Sequence, residues 1–414
     1  MDRQASSKRR SNIDQPLIIG GGHSGLLLAL ALESHGLCPT LVDLAPVDIV
    51  LKTPFDGRAL ALMQGSKQVF DTLGLWPAMV TAATPILSVQ VHDVGIDGTV
   101  TYDAKAFGGD PLGYGIENRM LRLRLLEFVL ARPKIRVIAP ASLEHLERHR
   151  HGLTACLSDG SVIDTPLVIG ADGRRSTVRR LAGIAVQRRD YRQTAITLAF
   201  RHLRPHGHRV REYMSKAGPL ALLPIGDDLS SATWVERPRD AQKLLSGDPD
   251  DLMHGLRTRQ NDDLDPVEII GSPGSHYLSA ETAARYVAPR VALVGDAAHG
   301  LHPIHAQGWN LGVRDVAALA EVLVDAYRCN QDPGSGESLQ RYARCRSGDA
   351  SLTFGLTDGL NRLFASDLMP AKLLRRTGLT MLNHIAPMKT WAMRRGMGVA
   401  GNQPKLVRGQ PLRS

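Results

Sequence analysis

Residues 16–43 read PLIIGGGHSGLLLALALESHGLCPTLVD, and this stretch constrains the fold more than any other. A short apolar run enters Gly20-Gly21-Gly22-His23-Ser24-Gly25, a helical stretch stays apolar through Leu32, and a second extended run, Thr40 to Val42, ends at Asp43. Strand, tight turn, helix and strand in that order belong to a parallel α/β sheet. Each glycine of G-x-G-x-x-G has its own reason: Gly20 permits the turn, Gly22 lets backbone approach a pyrophosphate, and Gly25 lets helix pack on strand. Asp43, eighteen residues after Gly25, stands where a carboxylate can accept from a ribose hydroxyl. The glycines alone would suit any α/β turn; with strand, helix and acid in place they point to a dinucleotide.

Two later segments repeat a buried strand ending at glycine and acid. Leu167-Val168-Ile169-Gly170 leads into Asp172-Gly173 and then Arg174, Arg175, Arg179 and Arg180, which offer a carboxylate, an unhindered backbone and a positive rim for phosphates. Taken singly, each arginine reads as the solvent face of a short helix. The run VALVGDAAHGLHPIHAQGWNLGVRD, Val291 to Asp315, turns at Gly295-Asp296, crosses a loop and enters a helix near Trp309-Asn310. Unpaired N–H groups at that helix start, beside an aspartate, suit an anionic, polyhydroxylated cofactor. Arg58 is expected at the head of a helix running to Leu73, reaching a phosphate or capping a surface. Asn118 is a candidate N-cap for the helix that follows it. His299, His302 and His305 recur every three residues, but Gly300 and Pro303 interrupt any helix that would align them, and no acid or cysteine joins the set, so no metal site is expected.

Residues 86–103 alternate around Asp97-Gly98 as a hairpin does, and Ile135–Ile138 and Leu153–Leu157 read as strands. Ala195–Phe200, Leu220–Ile225 and Ala232–Glu236 form a second, antiparallel texture, followed by one helix around Asp240 to Arg257; such a sheet over a cofactor domain serves as a substrate lid. Beyond Gln340 the pattern is helical, with breaks at Pro370, Gly378 and Pro387, and ends in a frayed tail. The net charge of +9 is concentrated there, since 371–414 holds nine Lys or Arg and no Asp or Glu. Interleaved with Leu379, Met381, Leu382, Met388 and Trp391, these charges suit an anionic membrane surface or an acidic partner, or a solvated face; nothing else supports nucleic acid. No apolar run is long enough to span a bilayer. MDRQASSKRR lacks an apolar core, so no secretory signal is expected, and 1–14 reads as a disordered arm. Four scattered cysteines point to a reducing compartment and to no cysteine chemistry.

GGGHSG with Asp43, VIGADGRRSTVR, and the Val291–Asp315 run together resemble the three motifs of class A FAD-dependent aromatic monooxygenases of the para-hydroxybenzoate hydroxylase type, in family order, from Pro16 to about Tyr342. DGRALAL at 56–62, GYGIENRMLR at 113–122, LHPI with QGxNLGxRD, and LxxLN…MK…MRRGMG at 379–398 are most similar to the ubiquinone-biosynthesis hydroxylases. The resemblance implies an α/β, Rossmann-like FAD-binding domain from 15–80, 105–185 and 282–345, an inserted antiparallel-sheet substrate domain from 81–104 and 186–281, and a helical, basic C-terminal segment, 346–414. It places Gly20, Gly22 and Gly25 on the FAD pyrophosphate, Asp43 on the adenosine ribose, Arg58 on the phosphate or ribityl region, and Arg122 among the cofactor-binding residues. Asp172 and Gly173 serve FAD and a transient nicotinamide donor, Asp296 the ribityl chain, and the helix start at Gly308 and Asn310 the pyrimidine edge of the flavin. His302 and Pro303 lie at the isoalloxazine face, and no general base is assigned. One departure matters: Ala306 stands where the family reads the first glycine of GQG, preceded by His305, and alanine at a positive φ costs about 1 kcal/mol or more.

The implied activity is hydroxylation of the ring of a polyprenylated phenol in ubiquinone biosynthesis, with NAD(P)H as donor, O₂ as co-substrate and a flavin C4a-hydroperoxide as oxidant. Other pathway proteins are expected partners, and the implied location is cytoplasmic, peripheral on the inner membrane face. Two alternatives stay open: a flavin hydroxylase or reductase of another substrate class, and a non-catalytic FAD-binding scaffold of a quinone-biosynthesis complex.

Overall fold

The computed structural model describes residues 15–96, 98–261 and 263–412. The expected arm at 1–14 and Asp97 of the hairpin turn lie outside them. A six-stranded sheet forms the base of the molecule, in the order Val287–Ala288, Val291–Leu293, Val168–Gly170, Leu17–Ile19, Thr40–Val42 and Arg136–Ile138. All neighbours are parallel except the first pair. The three strands that carry the motifs are therefore adjacent and in register, with Leu17 opposite Val168 and Val168 opposite Val291. Their carboxyl ends release Gly20, Asp172 and Gly295 along one edge, where open α/β sheets bind ligands.

Helix His23–Glu33 is apolar all round and buried from Gly25 to Leu32, between the sheet and the long helix Gln307–Arg328. Burying a leucine side chain contributes roughly 1.5–3 kcal/mol, so the five leucines of this helix hold it without any side-chain cap. The long helix is buried from Asn310 through Ala320, although Arg314 and Asp315 lie inside that stretch. Both are paired: Asp315 accepts from Arg346 Nε at 2.8 Å, and Asp349 accepts from Arg314 Nε at 2.8 Å and Arg346 at 2.9 Å.

An eight-stranded sheet stands over the cofactor edge. Its order is His299–Gly300, Pro266–Ala283, Val186–His202, Leu229–Glu236, Leu220–Pro224, Arg209–Met214, Ser88–Asp93 and Gly98–Asp103. The hairpin at 86–103 is present, and Arg209–Met214 pairs parallel with its first strand. Several local expectations change. The helix at 240–257 is two, Pro238–Ser246 and Pro249–Arg259, because Pro249 cannot continue a helix and Asp248 caps the second through Asp250 N–H at 2.9 Å. Ala59–Met63 is a strand and the helix begins only at Gln64, so Arg58 heads a strand. Asn118 is the first helical residue, with Glu117 at the cap position and no side-chain cap.

Three helices follow, Gly336–Ala365, Met369–His384 and Ala386–Gly396; Pro370 and Pro387 start helices, while Gly378 sits within one. The tail is not frayed. Leu406, Val407 and Leu412 are buried, and the turn Lys405–Arg408 docks on helix Gln64–Thr72 and on the long helix, with Lys405 N–H on Glu321 Oε2 at 2.9 Å. Apolar residues spaced among glycines and prolines gave no periodic pattern from which that docking could be read.

Candidate active site

Gly20 holds φ +112°, and a Cβ there would lie 2.4 Å from the Ala171 carbonyl oxygen; at Gly25 it would lie 1.9 Å from the Gly20 oxygen. Helix, turn and neighbouring strand therefore touch through backbone alone. Gly22, Gly173 and Gly308 instead face open space, with no atom within 4 Å of an added Cβ. Asp43 turns back into the loop, accepting from Gly21 N–H and from Ala45 N–H at 2.7 Å. Arg122 bridges the same two residues, donating from Nε to Gly21 O at 3.2 Å and from Nη2 to Asp43 Oδ1 at 3.5 Å.

The first and third motifs meet through rings. His23 lies edge-on to Trp309, centroids 5.2 Å apart, so two helix N-termini converge with their unpaired N–H groups. His23 Nε2–H donates to Asn118 O at 3.0 Å. Burial, with the charges of Arg122 and Arg58 nearby, pushes its imidazole down to about 4, so it stays neutral. Arg58 itself is half exposed and donates to Asp56 at 2.6 Å.

The arginines after Asp172 divide. Arg175 and Arg180 are exposed, whereas Arg174 and Arg179 turn inward onto carbonyls: Arg174 onto Ser279 O (2.8 Å) and Leu301 O (3.0 Å), Arg179 onto Ala297 O (2.8 Å) and Arg174 O (2.6 Å). The expected rim of four is therefore reduced to two. Arg174 also reaches Asp296, Nε to Oδ2 at 3.3 Å, and the Asp296 side chain is otherwise open to solvent. Asp172 accepts from Val178 N–H through Oδ2 at 3.1 Å, while its Oδ1 is buried without a partner, as is Trp309 Nε1.

Asn310 is fully buried and its amide is saturated: Oδ1 accepts from Met63 N–H (3.0 Å) and Ser66 Oγ (2.7 Å), and Nδ2 donates to Ala61 O (2.9 Å) and Ala306 O (2.8 Å). Its side chain clamps the 59–63 strand to the long helix; what it can offer a ligand is main-chain N–H. His302 is similarly engaged. Nδ1 accepts from Ile304 N–H at 3.3 Å and Nε2–H donates to Gln193 Oε1 at 3.2 Å, while burial, then His305 and Arg174, lowers its imidazole to about 4. Pro303 opens the tight turn beside it, its carbonyl accepting from Ala306 N–H at 3.0 Å. The three histidines go to three partners: His299 to Asp315, His302 to Gln193 and His305 to Glu212.

His305 and Ala306 both adopt left-handed backbone, φ +62° and +49°. The place where the resemblance expects glycine does require a positive φ, and each non-glycine residue there costs roughly 1–2 kcal/mol. Beside this turn lies a cavity of about 350 Å³. Its walls are apolar, from Met63, Val91, Val210, Phe364, Leu379 and Trp391 among others; Glu212, His305 and Arg395 bring charge to it. Sequence reading missed Glu212. The available sign was a carboxylate alternating with Val210 and Met214 on one face of a strand.

Strand ends, convergent helix starts, open glycines, an orphaned acceptor and an orphaned donor fit FAD, and the apolar cavity beside the third motif fits an aromatic substrate; the site is that of an FAD-dependent aromatic monooxygenase. The chain belongs to the FAD binding domain family, whose model matches residues 15–351. It is 40% identical over 399 residues to the ubiquinone hydroxylase UbiL of Rhodospirillum rubrum, covering 96% of this chain and 93% of the relative. It is 32% identical over 384 residues to the 3-demethoxyubiquinol 3-hydroxylase of Escherichia coli, covering 92% and 98%. The fold is shared with the crystal structure of p-nitrophenol 4-monooxygenase PnpA from Pseudomonas putida DLL-E4, at a TM-score of 0.76 and 17% identity over 94% of this chain and 98% of that one.

Proposed function

We propose that this chain hydroxylates the aromatic ring of a polyprenylated phenol in ubiquinone biosynthesis, with NAD(P)H as donor and O₂ as co-substrate. When bound, FAD would supply the redox chemistry, taking electrons from the nicotinamide donor and activating O₂ for transfer to the ring. The observation that carries the reading is the cavity, because its walls suit an aromatic ring and the start of a prenyl chain and it opens beside the third-motif turn.

The remaining residues have roles by position. Gly20, Gly22 and Gly25 cradle the pyrophosphate, Asp43 with Arg122 takes the adenosine side, and Asp296 takes the ribityl hydroxyls once Arg174 yields it. Arg58 stays at the phosphate side, Asp172 and Gly173 face the cofactor and its donor, and Pro303 with His302 shapes the flavin face. Main-chain N–H groups from Gly308 to Asn310 stabilise charge on the reduced ring.

Leu379, Leu382 and Trp391 line the cavity from the two helices that carry exposed Leu373, Leu374, Met381 and Met388 with Lys372, Arg376 and Lys389, and so offer a long prenyl tail an apolar path toward that face. This supports docking of that face on an anionic membrane surface. Two of the basic residues counted in sequence do not contribute, since Arg375 is buried on Asp93 at 2.7 Å and Arg395 pairs with Asp349 at 3.2 Å. Among the described residues no helix is long and apolar enough to cross a membrane.

The test is a deletion strain analysed for quinone intermediates. Accumulation of a precursor lacking one ring hydroxyl, corrected by the wild-type gene and not by Asp296→Ala, is the expected result; an unchanged quinone profile in the deletion strain overturns the reading.

A further inference from the structure

A second cavity, of about 620 Å³, shares one helix with the substrate cavity. On helix Ala386–Gly396, Trp391 and Arg395, one turn apart, line the substrate cavity, whereas Thr390 and Arg394, also one turn apart, line the second. Further lining comes from Gln64 and Gln68 on helix Gln64–Thr72, and from the tail, where the turn Lys405–Arg408 brings in Arg408. These elements are fixed to one another. Gly65 N–H donates to Met397 O at 2.9 Å, and a Cβ on Gly65 would lie 2.6 Å from the Gly398 carbonyl oxygen, so helix and tail touch through backbone. Lys405 N–H on Glu321 ties the same tail to the long helix.

The charge in this cavity is of one sign. Among the described residues no carboxylate lines it, and neither Arg394 nor Arg408 has an acidic partner. Other arginines of the C-terminal segment are spoken for: Arg375 is held by Asp93 at 2.7 Å and Arg395 by Asp349 at 3.2 Å. Arg394 and Arg408 are both exposed, so their donors are open to a ligand. Two guanidinium groups at one cavity match the oxygens of a phosphate, which accept paired N–H bonds. The amides of Gln64 and Gln68 and the hydroxyl of Thr390 add neutral partners for a hydroxyl or an ester carbonyl. Phe107, Val399 and Val407 supply apolar contact. A phosphodiester that carries glycerol and the first carbons of acyl chains presents the complement of all three kinds of group. Exposed Met388 lies on the same helix as Thr390, and exposed Leu373 and Leu374 lie on the helix before it, so the cavity borders the apolar and basic face described above.

We propose that this cavity binds the phosphate headgroup of an anionic phospholipid. The proposal rests on the membrane-docking reading and deepens it, because it gives that face a specific lipid contact in place of diffuse attraction alone. A headgroup held by Thr390 and Arg394 also ties to the membrane the helix that carries Trp391 and Arg395 on the substrate cavity.

The test uses the full-length, FAD-loaded protein and dihexanoyl phosphatidylglycerol, a short-chain lipid kept below its micelle-forming concentration, with binding read by titration calorimetry. Arg394→Gln with Arg408→Gln removes two charges from exposed positions at the cavity. Lys372→Gln with Arg376→Gln removes the same charge from the preceding helix, outside it. The first pair should weaken binding at least about tenfold, the loss expected for charge-assisted hydrogen bonds, and the second pair should leave it as in wild type. Glycerol phosphate tests a free anion as the source, and should bind at least about tenfold more weakly than the lipid because it lacks the apolar contact. Equal weakening by the two pairs, no binding to wild type, or equal affinity for glycerol phosphate and lipid overturns the proposal. Vesicles of phosphatidylglycerol separate it from the reading beneath it. Wild type that binds the monomeric lipid but not vesicles keeps the headgroup site and removes membrane docking; vesicle binding without binding of the monomeric lipid removes the site and keeps docking.

Discussion

Asp315 and Arg346 form an ion pair wholly inside the protein, Oδ1 to Nε at 2.8 Å, with side-chain exposures of 0% and 1%. The other oxygen of Asp315 accepts from Gly295 N–H at 3.0 Å and from His299 Nε2 at 2.5 Å. The pair therefore fixes the turn that presents Asp296, from beneath. Arg346→Met removes the guanidinium and leaves the buried carboxylate with the Gly295 N–H and His299 as its remaining hydrogen-bond partners. Breaking such a pair destabilises by roughly 3–5 kcal/mol, to be read as a lower urea midpoint together with faster loss of flavin on dilution. Conservative loss of one surface pair, such as Arg124→Gln, should leave both unchanged within about 0.5 kcal/mol.

Ala306→Gly relieves a left-handed alanine at the start of the long helix. The variant should gain about 1 kcal/mol, seen as a raised melting temperature of the FAD-loaded protein. A fall in melting temperature would mean that the turn gains support from the methyl group.

Acid should unfold the protein through its neutral histidines. His302 titrates near 4 in the folded chain and near 6.5 when unfolded, so the unfolded state binds its proton first. Stability is unaffected above about 6.5 and falls as pH drops toward 4, by up to roughly 3 kcal/mol from this residue. His23 acts in the same direction. His305, held above its ordinary value, acts oppositely, its contribution being lost as pH rises. Urea midpoints measured across this range should be less steep in acid for His302→Gln than for wild type.

Membrane docking predicts that Leu373→Ser with Leu374→Ser lowers co-sedimentation with anionic vesicles at least several-fold while flavin content is retained. Both side chains are exposed, so their loss leaves the core intact. Deleting 371–414 would not serve as a test, because Arg375, Leu406 and Val407 are buried.

The cofactor edge was legible because backbone chemistry dictates it: Gly20 and Gly25 are spaced by the contacts that a Cβ would break, and Asp43 follows at the end of the next strand. Ala306 was legible for the same reason, as a residue out of place at a positive φ. Glu212 was not, since it meets His305 only after two strands pair and two distant segments pack, and sequence spacing carries no record of that. The tail at 403–412 was missed because burial of single residues such as Leu406 leaves no periodicity. Arg174 and Arg179 looked like a phosphate rim because the sequence shows their charge and not the carbonyls of Ala297, Ser279 and Leu301 that receive them.

The most direct measurement incubates the FAD-loaded protein with NAD(P)H, isotopically heavy O₂ and a prenylated phenol that lacks one ring hydroxyl, followed by mass spectrometry. The expected product carries one heavy oxygen atom on the ring and is lost in Asp296→Ala. Oxidation of NAD(P)H that the phenol does not stimulate, with no heavy oxygen on the ring, would contradict the central claim.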